Sequence, residues 1–256
     1  MLLQEPGLAG LELGSTAWFN AQRALIHQKP LLRKCYERWY ELLLADEASV
    51  PADRPGLLVE LGSGGSTLAE HRQDILTTDV IAGAASRVVD ARELPFADAS
   101  VRALFLTHAL HHIPQVERFF AEASRVLVPG GVVSMVEVAH TPLARWFFSR
   151  LHPEPYDDRT AQWDFTQSHA MADANQALSW LVFVRDRARF EAEFSKLKIE
   201  RTQFLPWFSY LASGGVTRRA VLPNALTGLS WAIDAVTRPI ASIVSLHWHI
   251  TLRKSL

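Results

Sequence analysis

Between residues 57 and 137 the chain carries five short, uninterrupted apolar runs: LLVEL, DILTTD, SRVVD, VRALFLT and GVVSMVEV. Runs without polar alternation belong to strands covered on both faces, and such strands are joined by crossovers into a parallel sheet. The clearest crossover helix opens near Pro114. Val116, Phe119, Phe120, Ala123 and Leu127 form one stripe at helical spacing until Pro129, Gly130 and Gly131 stop it. Asp79 and Asp90 are eleven residues apart, short of the dozen or so that a helical crossover needs. That link reads as a loop with at most one turn, which opens the cleft edge beside it.

The flanks add helices and two more strands. Across residues 17–44, Trp18, Leu25, Leu32, Tyr36, Trp39 and Leu43 recur at spacings of three, four and seven, broken near Pro30, so two amphipathic helices are expected. PADRPG then links them to the first strand. Thr141 and Pro142 start a helix through LARWFFSRL. Residues 152–165 read as a long loop, which in a compact domain is usually functional. A helix over residues 186–197 is expected, with KIERTQFLPW and SLHWHITLR as closing strands. The fold class is therefore α/β: a doubly wound, seven-stranded, mostly parallel sheet with N-terminal helices and a helical insertion between the last two strands. Residues 1–56 would form the helical cap and residues 57–256 the main domain, with the insertion at residues 213–240.

Charge and cysteine usage exclude several classes. Twenty-six basic residues against 27 acidic ones leave no broad footprint for nucleic acid. The lone Cys35 has no disulfide partner within the chain and sits in a helical stripe, so a buried thiol and a reducing, cytoplasmic setting are expected. An acidic residue and a proline stand where a signal peptide would carry positive charge and an apolar core, so the start reads as mature sequence. The best apolar stretch, residues 225–252, is interrupted by Asp234, Arg238 and Pro239 and does not suit a bilayer span.

The first run ends in VELGSGGSTLAEH. A Gly-x-Gly turn straight after a strand lets a ligand lie against bare backbone. A dinucleotide turn asks for Gly-x-Gly-x-x-Gly. Gly62 and Gly64 fit, but Thr67 fills the third place, which weighs against a nicotinamide dinucleotide. Alone, the turn also fits another nucleoside ligand or no ligand. Three further segments follow in order: DARELPFADASV from Asp90, THALHHIP from Thr107 and RVLVPGGVVSMVEV from Arg125. Together the four segments resemble the class I S-adenosylmethionine-dependent methyltransferases, and among them the broad methyltransferase type 11 family, over residues 57–137.

That resemblance implies a Rossmann-like methyltransferase fold, S-adenosyl-L-methionine as cofactor, and a set of contacts. Gly62, Ser63, Gly64 and Gly65 would let the main chain approach the methionine part. Glu60 would organise the turn and the ammonium end. Asp79 would accept both ribose hydroxyls, and Asp90 with Ala91 would read the adenine. Thr107 and His108 would line the floor near the sulfonium. The sequence departs from the family pattern at Ser66, which stands for a third glycine and is expected to cap the next helix, and at Val101 and Arg102, the latter expected on the surface.

Methyl transfer from a sulfonium is an in-line displacement, so alignment contributes most, on the order of 7–11 kcal/mol in favourable cases. A base helps only where the acceptor must lose a proton. For a hydroxyl acceptor the candidates are His108, His111 and His152, because imidazole titrates near neutrality; His112 is expected to pack structurally. HxxHH spaces His108 and His112 four apart, but no source of a third ligand is evident, so no metal is expected. Acceptor recognition should come from the N-terminal helices, the 152–165 loop and the insertion, with Glu154, Tyr156, Asn175, Gln176 and Tyr210 as polar readers. HPEPYDD from His152, ANQALSWLVFVRDRARFEAEF from Ala174 and LASGGV from Leu211 are similar to a bacterial subgroup of methyltransferases associated with surface-polysaccharide or glycolipid pathways, and that resemblance implies a small-molecule or glycolipid partner. Leu226, Leu229, Ile233, Val236 and Ile240 form one stripe of the insertion, expected to pack on the protein's own core, with peripheral membrane contact as the other reading. The expected function is methyl transfer to a small-molecule, lipid-linked or saccharide acceptor, most readily at oxygen. The alternative is a non-catalytic S-adenosylmethionine-binding scaffold of the same fold.

Overall fold

The structure is a computed structural model and describes residues 4–256; residues 1–3 of the expected cap lie outside the described residues. Two helices come first, α1 (Thr16–Gln28) and α2 (Pro30–Ala48). Ser15 caps α1 by accepting from the Trp18 amide at 3.1 Å, and Pro30 opens α2 at the one position where a missing amide costs nothing. Next come β1 (Leu57–Leu61), α3 (Leu68–His71), β2 (Ile75–Asp79), β3 (Arg87–Val88), β4 (Val101–Thr107), α4 (Val116–Val126), β5 (Leu127–Val138) and α5 (Pro142–Leu151). The chain ends with α6 (Leu178–Trp180), α7 (Arg187–Glu193), β6 (Leu197–Phe204), α8 (Phe208–Ser213), α9 (Thr227–Thr237), α10 (Ala241–Val244) and β7 (His247–Lys254).

Among the described residues the strands make one seven-stranded sheet in the order β3-β2-β1-β4-β5-β7-β6. Neighbours from β3 to β5 are parallel, and β7 runs antiparallel to both β5 and β6. Side chains alternate between two cores. Leu104 and Leu106 of β4 join Phe119 and Phe120 of α4 on one face, whereas Ala103 and Phe105 join Trp39, Tyr40 and Leu43 of α2 on the other. Cys35 is buried in this second layer. The chain leaves β1 towards β2 on one side and β4 on the other, so a crevice opens at the carboxyl ends of these strands, where open α/β sheets bind ligands.

Several local expectations are modified. Residues 80–86 form turns and bends before the two-residue β3, as the short spacing required. The helical segment before β6 starts earlier than expected, at Leu178, runs through a π-helical turn at Leu181–Arg185 and ends at Glu193. Residues 152–177 hold no helix or strand. Arg102 is not a surface residue: its side chain is 15% exposed, pairs with Glu47 and donates to the carbonyls of Val50, Pro51 and Arg54, closing the end of α2.

The insertion stripe is turned the other way from the expectation. Val236 is 79% exposed, and Leu226, Leu229 and Ile240 also face solvent, while Ser230 and Asp234 are buried. The cause is a polar demand inside. The Asp234 carboxylate accepts from the amides of Trp207, Phe208 and Ser209 at 3.0, 2.8 and 3.2 Å, satisfying the free amides at the start of α8. Among the described residues no helix is long and apolar enough to cross a membrane.

Candidate functional site

A cavity of about 390 Å³ lies at the crevice, lined by the glycine turn, the tips of β2 and β4, α1, the 152–177 loop and α8. Gly62 and Gly64 have φ of 66° and 40°, left-handed values that suit glycine. Packing forbids a side chain as well: a Cβ on Gly62 would sit 2.7 Å from the Ala109 Cβ, and one on Gly64 would sit 2.9 Å from Cε1 of Phe19. The turn is held by neighbours. The Ser63 amide donates to the Thr78 carbonyl at 2.9 Å and the Gly64 amide to Oδ2 of Asp79 at 3.0 Å. Ser66 accepts from the Leu68 amide at 3.1 Å, the capping role expected of it. From α1, Arg23 donates to the carbonyls of Gly64 and Ala84, both at 2.6 Å, tying the turn to the loop after β2. Arg23 gives no signal in the sequence, being one more charge on an amphipathic helix.

Glu60 and Asp79 take different places. Glu60 lies beneath the turn rather than on the cavity wall; it is 1% exposed, and both carboxylate oxygens lack a partner. Burial pushes its carboxyl up to about 7. Asp79 lines the cavity, and its second oxygen accepts from the Ile81 amide at 2.9 Å. Burial raises its carboxyl too, and one lone pair remains on each oxygen. Asp90 and Ala91 line the same wall, but the Asp90 carboxylate is engaged by the Arg92 guanidinium at 2.7 Å, which holds it below the usual carboxylate range. An amine must therefore share that carboxylate with Arg92.

Histidines crowd the other end. Thr107 Oγ1 and His108 Nε2 are buried without partners at the tip of β4, and His108 adopts φ of 55°. Burial holds His108 near 4, so its imidazole is neutral. His111, in the 3-10 turn Leu110–His112, sets Nδ1 2.6 Å from Glu137 Oε2. Glu137 is fully buried, and its other oxygen accepts from the amides of Ala109 and Leu110 at 3.0 and 2.7 Å. Although burial opposes the charge, the carboxylates of Glu137 and Glu154 push His111 up to about 10. His152 Nδ1 accepts from the Glu154 amide at 3.3 Å, and burial lowers its imidazole. Tyr210 of α8 and His247 of β7 complete the wall. The structure thus gathers His108, His111 and His152 in one cavity with the glycine turn. Glu137 and His247 were not anticipated, because their positions follow from strand pairing and no local motif marks them.

Residues 60–135 match the profile of a methyltransferase domain. Over these residues the chain is similar to the type 11 methyltransferase domains. A phthiotriol/phenolphthiotriol dimycocerosates methyltransferase of Mycobacterium ulcerans is 33% identical over 97 residues, which cover 38% of this chain and 33% of that protein. The corresponding protein of Mycobacterium tuberculosis matches to the same extent; the chain thus spans about a third of the length of these curated relatives. In fold, the protein is similar to geranyl diphosphate C-methyltransferase from Streptomyces coelicolor A3(2), solved with Mg2+, geranyl-S-thiolodiphosphate and S-adenosyl-L-homocysteine. That likeness has a TM-score of 0.54 at 16% identity and covers 98% of this chain and 84% of that one. A geranyl diphosphate methyltransferase in complex with S-adenosylmethionine gives 0.51 at 17% identity, covering 95% and 92%. The sheet is that of the class I methyltransferases, and the cofactor that goes with the domain is S-adenosylmethionine. The residues present fit it: the bare main chain of the glycine turn forms part of the cavity wall, Asp79 keeps lone pairs there for hydroxyls, and the Glu60 carboxyl, without a partner, lies beneath the turn.

Proposed function

We propose that the protein transfers a methyl group from S-adenosylmethionine to a hydroxyl of a small or lipid-linked acceptor. When bound, the cofactor supplies an electrophilic methyl on a sulfonium. The observation that carries the reading is the pair of buried, unpartnered polar atoms at the tip of β4, Thr107 Oγ1 and His108 Nε2, in the same cavity as the glycine turn. A neutral imidazole with a free lone pair accepts a hydrogen bond from a hydroxyl and orients it for in-line attack. His111 does not suit the role of base, since two carboxylates keep it protonated. His152 turns the lone pair on its Nδ1 to the Glu154 amide, so from the loop side it would offer a hydrogen bond through Nε2 rather than act as a base. Asp79 and the glycine turn would bind and orient the donor, with Glu60 acting on the turn from beneath, and α1 with the 152–177 loop would exclude water.

Two observations support a lipid-linked acceptor. The Mycobacterium relatives are named for phthiotriol and phenolphthiotriol dimycocerosates, acceptors that carry hydroxyls. The solvent-facing Leu229, Val236, Ile240 and Ile243, with Arg238 among them, form an apolar face suited to a lipid surface. Incubation with methyl-labelled S-adenosylmethionine and a lipid and metabolite extract, read by mass spectrometry, is expected to yield a product labelled on oxygen. Binding of S-adenosylhomocysteine without any labelled product from a broad acceptor panel would instead point to a scaffold.

A further inference from the structure

The 3-10 turn after β4 sets two consecutive imidazoles side by side, with ring centroids 4.5 Å apart. Nε2 of His111 and Nε2 of His112 lie 3.5 and 3.6 Å from Oε2 of Glu154. One ligand atom from each of the three residues falls within 4.8 Å of the others. The far nitrogens are both occupied: His111 Nδ1 by the Glu137 carboxylate, and His112 Nδ1 by the Asp173 carbonyl at 3.3 Å. A carbonyl only accepts, so the proton of a neutral His112 sits on Nδ1 and its Nε2 presents a lone pair. That lone pair faces a carboxylate oxygen. That carboxylate oxygen is already met by Nε2 of His111 and by the Gln176 amide, so an ion bound beside the His112 lone pair takes the place of the proton on Nε2 of His111.

We propose that His111, His112 and Glu154 form a binding site for a divalent transition metal ion at the acceptor end of the cavity. Metal–ligand bonds of roughly 2.0–2.2 Å place neighbouring ligand atoms roughly 3–3.5 Å apart, close to the spacing around Glu154. The second layer has the form that ligating histidines require, a carboxylate or a carbonyl on the far nitrogen that fixes ring and tautomer. Glu137 is itself anchored by two backbone amides. Gln176 donates Nε2 to Glu154, is 2% exposed, and its Oε1 has no partner; its amide is a further polar group at the same point. Two imidazoles and a carboxylate suit Zn2+, Mn2+ or Fe2+ rather than Ca2+ or Mg2+, which prefer oxygen donors. Three protein ligands leave positions open towards the cavity, where all three residues form part of the wall. HxxHH in the sequence pointed to His108 with His112 at helical spacing; the turn is 3-10, so His111 and His112 converge instead, and the third ligand comes from the loop that begins at residue 152.

The job of the ion, though not its binding, rests on the methyl-transfer reading. When bound, the ion would make a hydroxyl held there more acidic, so that its proton could pass to the neutral His108 imidazole as the oxygen–methyl bond forms and the sulfur–methyl bond breaks, releasing S-adenosylhomocysteine. The test uses chelator-stripped full-length protein titrated calorimetrically with ZnCl2 and MnCl2, and with CoCl2 for its visible absorption. One saturable site per chain is expected. Its affinity should fall at least 100-fold in His112→Gln and Glu154→Gln, with the cobalt bands lost, while both variants still bind S-adenosylhomocysteine and are therefore folded. Asp79→Ala should lose S-adenosylhomocysteine binding and keep the ion. Absence of saturable binding by the wild-type protein, or unchanged affinity in both variants, overturns the site. Ion binding in a protein that fails to bind S-adenosylhomocysteine leaves the site standing and removes the methyl-transfer reading.

Discussion

Glu60 is the residue whose state says most about the cofactor end. The fold keeps its proton up to about pH 7, whereas an ordinary glutamate releases it near 4.5. Between those values the folded chain binds more protons than the unfolded one, so this contribution to stability is fully present below 4.5 and lost as pH rises through about 7. At roughly 1.4 kcal/mol per pH unit the window amounts to about 3 kcal/mol. Glu60→Gln removes the penalty. In urea titrations without ligand, the variant should gain on the wild type between about pH 5 and pH 8, yet bind S-adenosylhomocysteine more weakly, since an amide does not balance an ammonium. A variant that tracks the wild type at both pH values would mean that Glu60 ionises freely. The place of Glu60 beside the turn was legible because it ends an apolar run next to a glycine turn. Its position under the turn was not, since a sequence does not say which way a buried carboxylate is aimed.

At the scale of elements, α1 and the loop after β2 close the cofactor end together. Phe19 crowds Gly64, and Arg23 bridges the Gly64 and Ala84 carbonyls. Hydrogen bonds from a charged donor contribute about 1.5–3 kcal/mol, enough to hold a short loop that has no strand or helix over residues 80–86. Arg23→Ala should speed hydrogen–deuterium exchange across residues 80–86 and lower S-adenosylhomocysteine affinity about tenfold, or about 1.4 kcal/mol, with the central strands unchanged. Equal exchange in wild type and variant would show that the loop stands without α1. The strands and α4 were legible from apolar runs and one helical stripe, because burial on both faces leaves a continuous pattern. Helix α9 was legible as a helix but not in its orientation. Its apolar stripe has the right spacing for a core face, and only the need of α8 for the Asp234 carboxylate turns the polar side inward.

Across the whole molecule the two ends of the cavity differ in how they are encoded. The end of the cavity proposed for the donor is built from motifs contiguous in sequence, Gly62 to Gly65, Asp79, and Asp90 with Ala91, at successive strand tips, with Glu60 beneath the turn. The acceptor end is assembled from β4, β5, the 152–177 loop, α8 and β7, so that His108, Glu137, Glu154, Tyr210 and His247 meet only when the sheet closes. No local pattern announces such a meeting, which is why the histidines and Glu154 were visible singly while their pairing, and Glu137, were not. The central claim is that the crevice between β1, β2 and β4 holds the donor of a methyl group. Calorimetric titration with S-adenosylhomocysteine tests it most directly, with a nicotinamide dinucleotide as control and Asp79→Ala as the matched variant. One saturable site in the wild type, weakened at least tenfold in the folded variant and indifferent to the dinucleotide, is the predicted result; binding of the dinucleotide in place of S-adenosylhomocysteine would contradict it.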